Sequence, residues 1–281
     1  MLKLMDQYSA LNQIKILKKT CKVCSQLDIE LLVLHILKID RNILFRDNPL
    51  LTEENYKKIV KLIDRREMGE PIAYLTNNIG FWNLSLYVDN RVLIPRPETE
   101  TLIKEVLRLF DSRERWVLDL GTGSGAIGLT LAKERPNWNV ICSDVSLDAL
   151  EVASKNMKQN SLDVSFINSD WLSSFRNRHF DIIISNPPYI SPTDLRILSD
   201  GLKFEPLKAL VSELDGLKDL ENIIEGSSQI LADDGHLFVE HGYNQSDRVV
   251  SFFNKFNFSE VRQYKDLNDD DRVCSGKLKR C

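Results

Sequence analysis

The stretch Val117-Leu118-Asp119-Leu120-Gly121-Thr122-Gly123-Ser124-Gly125 limits the folds open to this chain more than any other. A short apolar run ends in an acid, a glycine-rich turn comes next, and the turn opens at once into the helical-looking segment 126–132. Strand, tight turn and helix in that order form the leading edge of a nucleotide-binding α/β domain. Glycine tolerates positive φ and, lacking a Cβ, lets the backbone come close to a ligand. The glycines alone leave the ligand open, since Gly123-x-Gly125-x-x-Gly128 also fits the dinucleotide pattern.

The pattern around this stretch predicts a sheet. Strands are expected at 116–120, 139–144, 164–168, 180–185 and 235–241, with helices at 125–135, 146–159, 217–231 and 245–254. Regular alternation of the two implies a mostly parallel sheet covered on both faces. Two further strands, around 261–264 and 272–278, are joined by the acidic loop Asn268–Asp271 with no room for a helix, so the last pair is expected to be an antiparallel hairpin at the sheet edge. Upstream, residues 1–78 read as a small all-α bundle. Leu27–Leu37 is strongly apolar, with His35 expected as a core or edge residue. Thr52 caps a helix whose apolar stripe is Tyr56, Ile59, Val60 and Ile63, and Pro71 stops that helix. Between the two parts, Phe81–Val88 alternates, Asp89-Asn90 is turn chemistry and Arg91–Ile94 is apolar again, which predicts a β-hairpin linker over 79–94. The third part is then 95–281, beginning with the helix breaker Pro95-Arg96-Pro97 and a helix from Glu98 through Phe110.

A net charge of −4 argues against a broad basic surface for bare nucleic acid, and no apolar run approaches the roughly 18 residues of a membrane span. A cytoplasmic, monomeric protein without direct nucleic-acid contact is expected. The 5 cysteines are odd in number and scattered, which suggests reduced thiols. Cys21 and Cys24 are read as neighbours on one helical face and not as a metal or redox pair. No metal site is expected.

In a doubly wound sheet, ligands sit at the carboxyl ends of the strands. The first strand ends in the glycine turn. The second ends at Asp144, spaced to accept from a ribose diol, although Asp144-Val145-Ser146 also reads as a helix N-cap. After the third come Ser169-Asp170-Trp171, an acid and an aromatic that could pair with and stack on an adenine; Trp171 reads equally well as core. The fourth ends at Asn186-Pro187-Pro188-Tyr189, the specific signal. Two prolines stiffen the loop. The Asn186 side-chain oxygen and the Pro187 carbonyl can both accept from one planar NH₂ group, and Tyr189 can cover it. Such a site suits methylation of an amide or exocyclic amine nitrogen. Alignment and electrostatics must supply the rate, because the motif contains no strong base.

Taken together, these motifs resemble class I S-adenosylmethionine-dependent methyltransferases acting on nitrogen, and more narrowly the HemK/PrmC family of release factor glutamine N5-methyltransferases. The resemblance runs through Arg65-Arg66 to Tyr74, Phe81-Trp82, Leu93 to Glu100, Glu205-Pro206, Ala209-Leu210, Asp215-Gly216-Leu217, Gly242-Tyr243-x-Gln245, Asp266-Leu267 and Asp271-Arg272. It implies a Rossmann-like, mostly parallel seven-stranded sheet with an antiparallel C-terminal hairpin. It also implies a cofactor site in which Gly121, Thr122, Gly123, Ser124 and Gly125 hold the methionine end, Asp144 the ribose, and Asp170 and Trp171 the adenine. Asn186 would border both cofactor and substrate. Asn186, Pro187, Pro188 and Tyr189 would take the substrate amide, Arg96 would lie at its entrance, and the helical part would dock the release factor. Two departures stand out: Tyr74–Asn78 lacks the expected glycine, and His241 replaces an apolar residue.

Four rival readings compete with this one. A dehydrogenase leaves Asn186–Tyr189 unused. An adenine-N6 nucleic-acid methyltransferase would want a basic face or a recognition insert. A glutamine methyltransferase for a large-subunit ribosomal protein shares the chemistry, but Pro95–Glu100 favour the release factor enzyme. A non-catalytic binding module predicts decay at Asn186 or the glycines, which are intact.

Overall fold

The computed structural model describes residues 8–176, 180–198 and 201–279, without the side chains of 196 and 197. They divide into two compact units, one of residues up to Asn78 together with the turn at Leu202–Phe204, the other of Ile79 onward.

The smaller unit contains α1 (Ala10–Thr20), α2 (Gln26–Leu37), α3 (Arg41–Asp47), α4 (Glu53–Glu67) and α5 (Ile72–Thr76). Two of these helices start where a capping side chain satisfies free N–H groups. Ser25 and Asp28 form a reciprocal capping box on α2, and Thr52 accepts from Asn55 N–H on α4. Ile14, Ile29, Leu32, Val33, Leu44 and Ile59 make the core. His35 points outward and is exposed. The missing glycine after Tyr74 is replaced by Asn77, which takes the left-handed conformation (φ +50°) that asparagine tolerates better than most residues. One expectation is corrected here: Cys21 and Cys24 are joined as a disulfide, with Cα atoms 5.6 Å apart. They are not helical neighbours, because Cys21 caps the end of α1 and Cys24 immediately precedes the cap of α2. Cys281 lies outside the described residues.

The larger unit begins with β1 (Ile79–Phe81) and β2 (Leu84–Leu86). After these come α6 (Thr99–Leu109), β3 (Arg115–Leu120), α7 (Ala126–Glu134), β4 (Trp138–Asp144), α8 (Leu147–Gln159), β5 (Ser165–Asn168), β6 (Phe180–Ser185), α9 (Lys218–Ile230), β7 (Leu231–Glu240), α10 (Ser246–Lys255), β8 (Phe258–Lys265) and β9 (Asp271–Leu278). The expected hairpin over 79–94 is displaced. It turns at Trp82-Asn83, with Phe81 paired to Leu84, and residues 87–94 are not strand. The physical reason lies in α8. Asn156 donates to the Tyr87 carbonyl (2.9 Å) and accepts from Tyr87 N–H (2.6 Å), so a helix side chain takes the partners a second strand would have used. Asp89 then closes its own turn onto Arg91.

Seven strands form one sheet in the order β5-β4-β3-β6-β7-β9-β8. The first five are parallel, and β9 runs antiparallel to both β7 and β8. The central strands are apolar without alternation: Val117, Leu118, Ile182, Ile183 and Ile184 are fully buried, as expected for a sheet covered on both faces. β7 starts at Leu231, earlier than its apolar run suggests, and pairs irregularly between Leu231 and His236, where Asp233-Asp234-Gly235 is accommodated. From β3 the chain moves outward to β4 and β5, then returns to lay β6 on the other side of β3. That reversal puts a crevice at the carboxyl ends of β3 and β6, the place where open α/β sheets bind ligands.

Candidate active site

The glycine turn after β3 is held by the Ser143 carbonyl, which accepts from Gly121 and Thr122 N–H (both 2.9 Å), and by two acids, Asp119 and Asp144. Gly121, Gly123 and Gly125 all carry positive φ. Gly121 also needs its lack of a side chain, since a Cβ there would lie 3.2 Å from the Trp171 ring. Asp119 is fully buried beneath the turn, where its Oδ2 accepts from the Thr122 hydroxyl (2.6 Å) and from Gly128 N–H (2.9 Å). Burial pushes its carboxyl up to about 6, against the pull of those two donors.

Asp144, at the end of β4, faces the turn. Its Oδ2 accepts from Gly123 N–H (2.9 Å) and its Oδ1 from Ser146 N–H (2.9 Å). Ser146, not Asp144, caps α8. Each Asp144 oxygen therefore retains an unused lone pair, the requirement for receiving a diol. Burial raises its pKa. Trp171 sits in the left-handed region (φ +42°), which costs a bulky residue of order 1–3 kcal/mol. Packing against Gly121 and an indole N–H bond to Asp219 Oδ1 (2.9 Å) hold it there. Asp170 is exposed.

A cavity of about 380 Å³ opens at this end of the sheet. It brings together Gly121, Gly123, Asp144, Asp170, Trp171, Asn186 and Pro188 from the expected set. The remaining expected residues stand behind it. Thr122 is tied to Asp119, Gly125 starts α7, and the Ser124 carbonyl accepts from Asn156. Pro187 is buried. Arg96 is ion-paired with the buried Glu205, which also accepts from Ile94 N–H (3.0 Å). The cavity also has walls that sequence reasoning missed: Arg91, Leu93, Lys208 and Asp219. Asp219 lies one turn into a predicted helix and had no motif to mark it.

The loop after β6 is held from outside itself. Asn186 Nδ2 donates to the Thr99 hydroxyl (3.0 Å) at the start of α6. The Tyr189 hydroxyl donates to Glu240 Oε1 (3.1 Å) at the end of β7. Gln245 Nε2 donates to the carbonyls of Tyr189 (3.0 Å) and Asp215 (3.1 Å), while its Oε1 accepts from Gly242 N–H (2.8 Å). Gly216 passes so close that a Cβ would stand 2.1 Å from the Tyr189 carbonyl oxygen. Burial raises the Tyr189 phenol well above its ordinary range and pushes Glu240 up to about 7. His241, the departure beside it, is fully buried between the Gly242 carbonyl and Gln263 Oε1, both at 2.9 Å. Among the described residues no cluster of histidine, cysteine and acid could hold a metal ion, and no helix is long and apolar enough to cross a membrane.

The arrangement offers a cavity with a carboxylate, an indole and a close-lying backbone on one side. On the other stands an amide whose oxygen is uncommitted. A nucleoside with a ribose diol and a planar base fits the first set, and a planar NH₂ group fits the second.

Known proteins resemble this chain along most of its length. The chain matches the methyltransferase small domain over residues 98–199 and the PrmC N-terminal domain over residues 15–76. It is 43% identical to the release factor glutamine methyltransferase of Buchnera aphidicola subsp. Schizaphis graminum, across 94% of this chain and 98% of that one. The Escherichia coli K12 protein of the same name is 38% identical, across 89% and 91% of the two chains. Among solved structures, a methyltransferase from Pyrococcus furiosus aligns with a TM-score of 0.55 at 16% identity, covering 82% of this chain and 100% of that one. That likeness is one of fold, the class I methyltransferase fold.

Proposed function

The chain belongs to the family of the release factor glutamine methyltransferases, and from that premise we propose how its residues divide the work. The reaction moves a methyl group from S-adenosylmethionine to the side-chain amide nitrogen of the glutamine in the Gly-Gly-Gln motif of peptide chain release factors. When bound, S-adenosylmethionine would supply the activated methyl group, and the amide nitrogen that receives it would give up one proton to water.

Gly121 and Gly123 let the backbone approach the cofactor's amino-acid end, Asp144 accepts from its ribose, and Trp171 flanks its base. Asn186 Oδ1 and the Pro187 carbonyl accept from the two hydrogens of the glutamine NH₂. That pairing favours the attacking state, in which the nitrogen lone pair leaves conjugation and its N–H groups become more acidic. Tyr189 covers the acceptor from the side, and Arg96 with Glu205 fixes the wall by which the glutamine enters. The helical unit up to Asn78 engages the body of the release factor. The protein works as a monomer in the cytoplasm, where translation takes place, without touching nucleic acid itself.

One observation carries this reading. Asn186 lines the same cavity as Asp144 and Gly121, with its NH₂ already used by Thr99 and its oxygen left for a ligand. Incubation with purified release factors and isotopically labelled cofactor, then mass spectrometry of the Gly-Gly-Gln peptide, should find the label on glutamine nitrogen. Asn186→Ala should lower turnover by about 10²–10³-fold while cofactor binding persists. Undiminished turnover would remove Asn186 from the reaction.

A further inference from the structure

We propose that three exposed leucines flanking the acceptor loop, Leu195, Leu198 and Leu214, take up the apolar side chains of the release factor that lie beside its Gly-Gly-Gln motif. The inference rests on the function given above and deepens it, by naming what this chain reads around the glutamine.

A glutamine delivered to Asn186–Tyr189 brings its neighbours with it, and they must lie over the surface around that loop. The two glycines before it have no side chains, so contact energy has to come from residues farther off in the partner. What this chain offers them includes a set of bare leucines. Segment 207–216 runs beside the end of the acceptor loop. Ile190 N–H donates to the Leu210 carbonyl (2.9 Å), and Ser212 N–H donates to the Ile190 carbonyl (3.0 Å). Gln245 Nε2 then holds the carbonyls of Tyr189 and Asp215 together. Leu207 opens this segment on the wall of the cavity, and Leu214 stands near its far end. Farther along from Tyr189, Leu195–Leu198 forms a 3₁₀ turn. Residues three apart eclipse in such a turn, so Leu195 and Leu198 share one face. These four leucines are between 59% and 79% exposed.

Exposure alone assigns no role, since single surface leucines are common. The backbone at Leu214 supplies the second observation. Leu214, Asp215 and Gly216 are left-handed in succession, with φ of +53°, +56° and +83°. Glycine takes that conformation freely and aspartate tolerates it, but a bulky leucine there is strained. Such strain can be offset by packing, yet Leu214 is 66% exposed and joins no core. The turn is imposed on it from both sides. The Asp215 carbonyl accepts from Gln245, Gly216 lies against the Tyr189 carbonyl, and Leu217 N–H donates to the Leu214 carbonyl (3.1 Å). Asparagine or glycine would serve that turn better. The charges on it are matched locally: Glu213 pairs with Lys218, and Asp215 Oδ1 stands 3.5 Å from the Ser191 hydroxyl. What the turn leaves for a partner to bury is the Leu214 side chain, held outward beside the loop that receives the glutamine.

The test sets the full-length protein against Leu214→Asn, Leu214→Met and the double variant Leu195→Ser with Leu198→Ser. It measures kcat and KM with a purified release factor, cofactor affinity by calorimetry, and the melting temperature. Asparagine suits the left-handed conformation, so Leu214→Asn should melt about 2 °C higher while its KM for the release factor rises about fivefold. Stability and recognition then move in opposite directions, which a purely structural role for the leucine would not allow. Leu214→Met, still apolar, should keep KM within about twofold of the wild-type value. The double variant should raise KM about tenfold, with kcat and cofactor affinity each changed by less than about twofold. An unchanged KM in either Leu214→Asn or the double variant overturns this proposal, and continued labelling of the glutamine leaves the function standing. A Leu214→Asn protein that melts lower than wild type overturns it as well, by showing that the leucine serves the fold. A wild-type protein that labels no release factor fails the function itself.

Discussion

The loops that leave β3 and β6 lie side by side at the same crevice, and each rests on a buried carboxylic acid. Asp119 lies under the glycine turn and Glu240 under Asn186–Tyr189, and among the described residues each keeps one buried oxygen, Asp119 Oδ1 and Glu240 Oε2, without a hydrogen-bond partner. Beyond that they differ. Asp119 takes both of its bonds from residues within its own strand–turn–helix, Thr122 and Gly128. The second loop takes its bonds from Thr99, Glu240 and Gln245, between 51 and 87 residues away in sequence. The difference suits their tasks. A cofactor shared by many enzymes can be met by a turn whose acid is local and whose backbone leans on the neighbouring strand β4. An acceptor nitrogen that must be aligned to within a fraction of an ångström needs a loop braced from several elements.

The sharpest way to break this contrast is Gly216→Ala. A Cβ placed 2.1 Å from the Tyr189 carbonyl oxygen, at φ +83°, should cost about 4 kcal/mol by combining overpacking with backbone strain. Urea unfolding measures it; a loss below about 1 kcal/mol would mean the second loop is not clamped at that end.

Next in size is a pH effect. The folded pKa of Glu240 is raised from 4.5 to about 7, so the stability it contributes is full below 4.5 and is lost as pH rises through 7. Over that window the wild-type protein should lose about 3 kcal/mol relative to Glu240→Gln. Asp119, raised from 3.8 to about 6, has the same sign at lower pH, and Asp119→Asn should remove that part of the slope. Denaturation midpoints measured from pH values below both folded pKa values to values above them would separate the two acids; parallel curves for wild type and variant would show that the acid in question titrates normally.

Gln245→Leu leaves the carbonyls of Tyr189 and Asp215 and the Gly242 N–H without the amide they share. A stability loss of about 2 kcal/mol is expected, with kcat reduced more than cofactor affinity. Equal losses in both would show that the two loops are braced together and not separately. The smallest effect belongs to the first loop: Trp171→Phe keeps the ring against Gly121 but drops the bond to Asp219. Cofactor affinity should weaken by about fivefold, near 1 kcal/mol, as read by calorimetry.

Much of this contrast can be read from the chain. The glycine turn announces itself because its glycines and the acid beneath it lie in one stretch of sequence, from Asp119 to Gly128. Asn186–Tyr189 also stands out, since two prolines between an amide and a phenol have few uses. The hairpin expected at 79–94 is displaced for the opposite reason. Asp89-Asn90 is a good local turn, but the partner of Tyr87 is a side chain on α8, which no local pattern reveals. Cys21 and Cys24 mislead in the same way, because their spacing suggests one helical face where the chain in fact leaves a helix.

By itself, then, the sequence determined the class of fold, the place of the crevice and the two loops that line it. All three come from periodicity, glycine and proline, which act over a few residues. Which residues hold those loops in place was decided only by the tertiary structure. Thr99, Glu240, Gln245, Asp219 and Gly216 acquire their roles by meeting partners from other strands and helices. A hydrogen bond between distant residues leaves no periodicity behind, and only the packed sheet brings its two partners within reach.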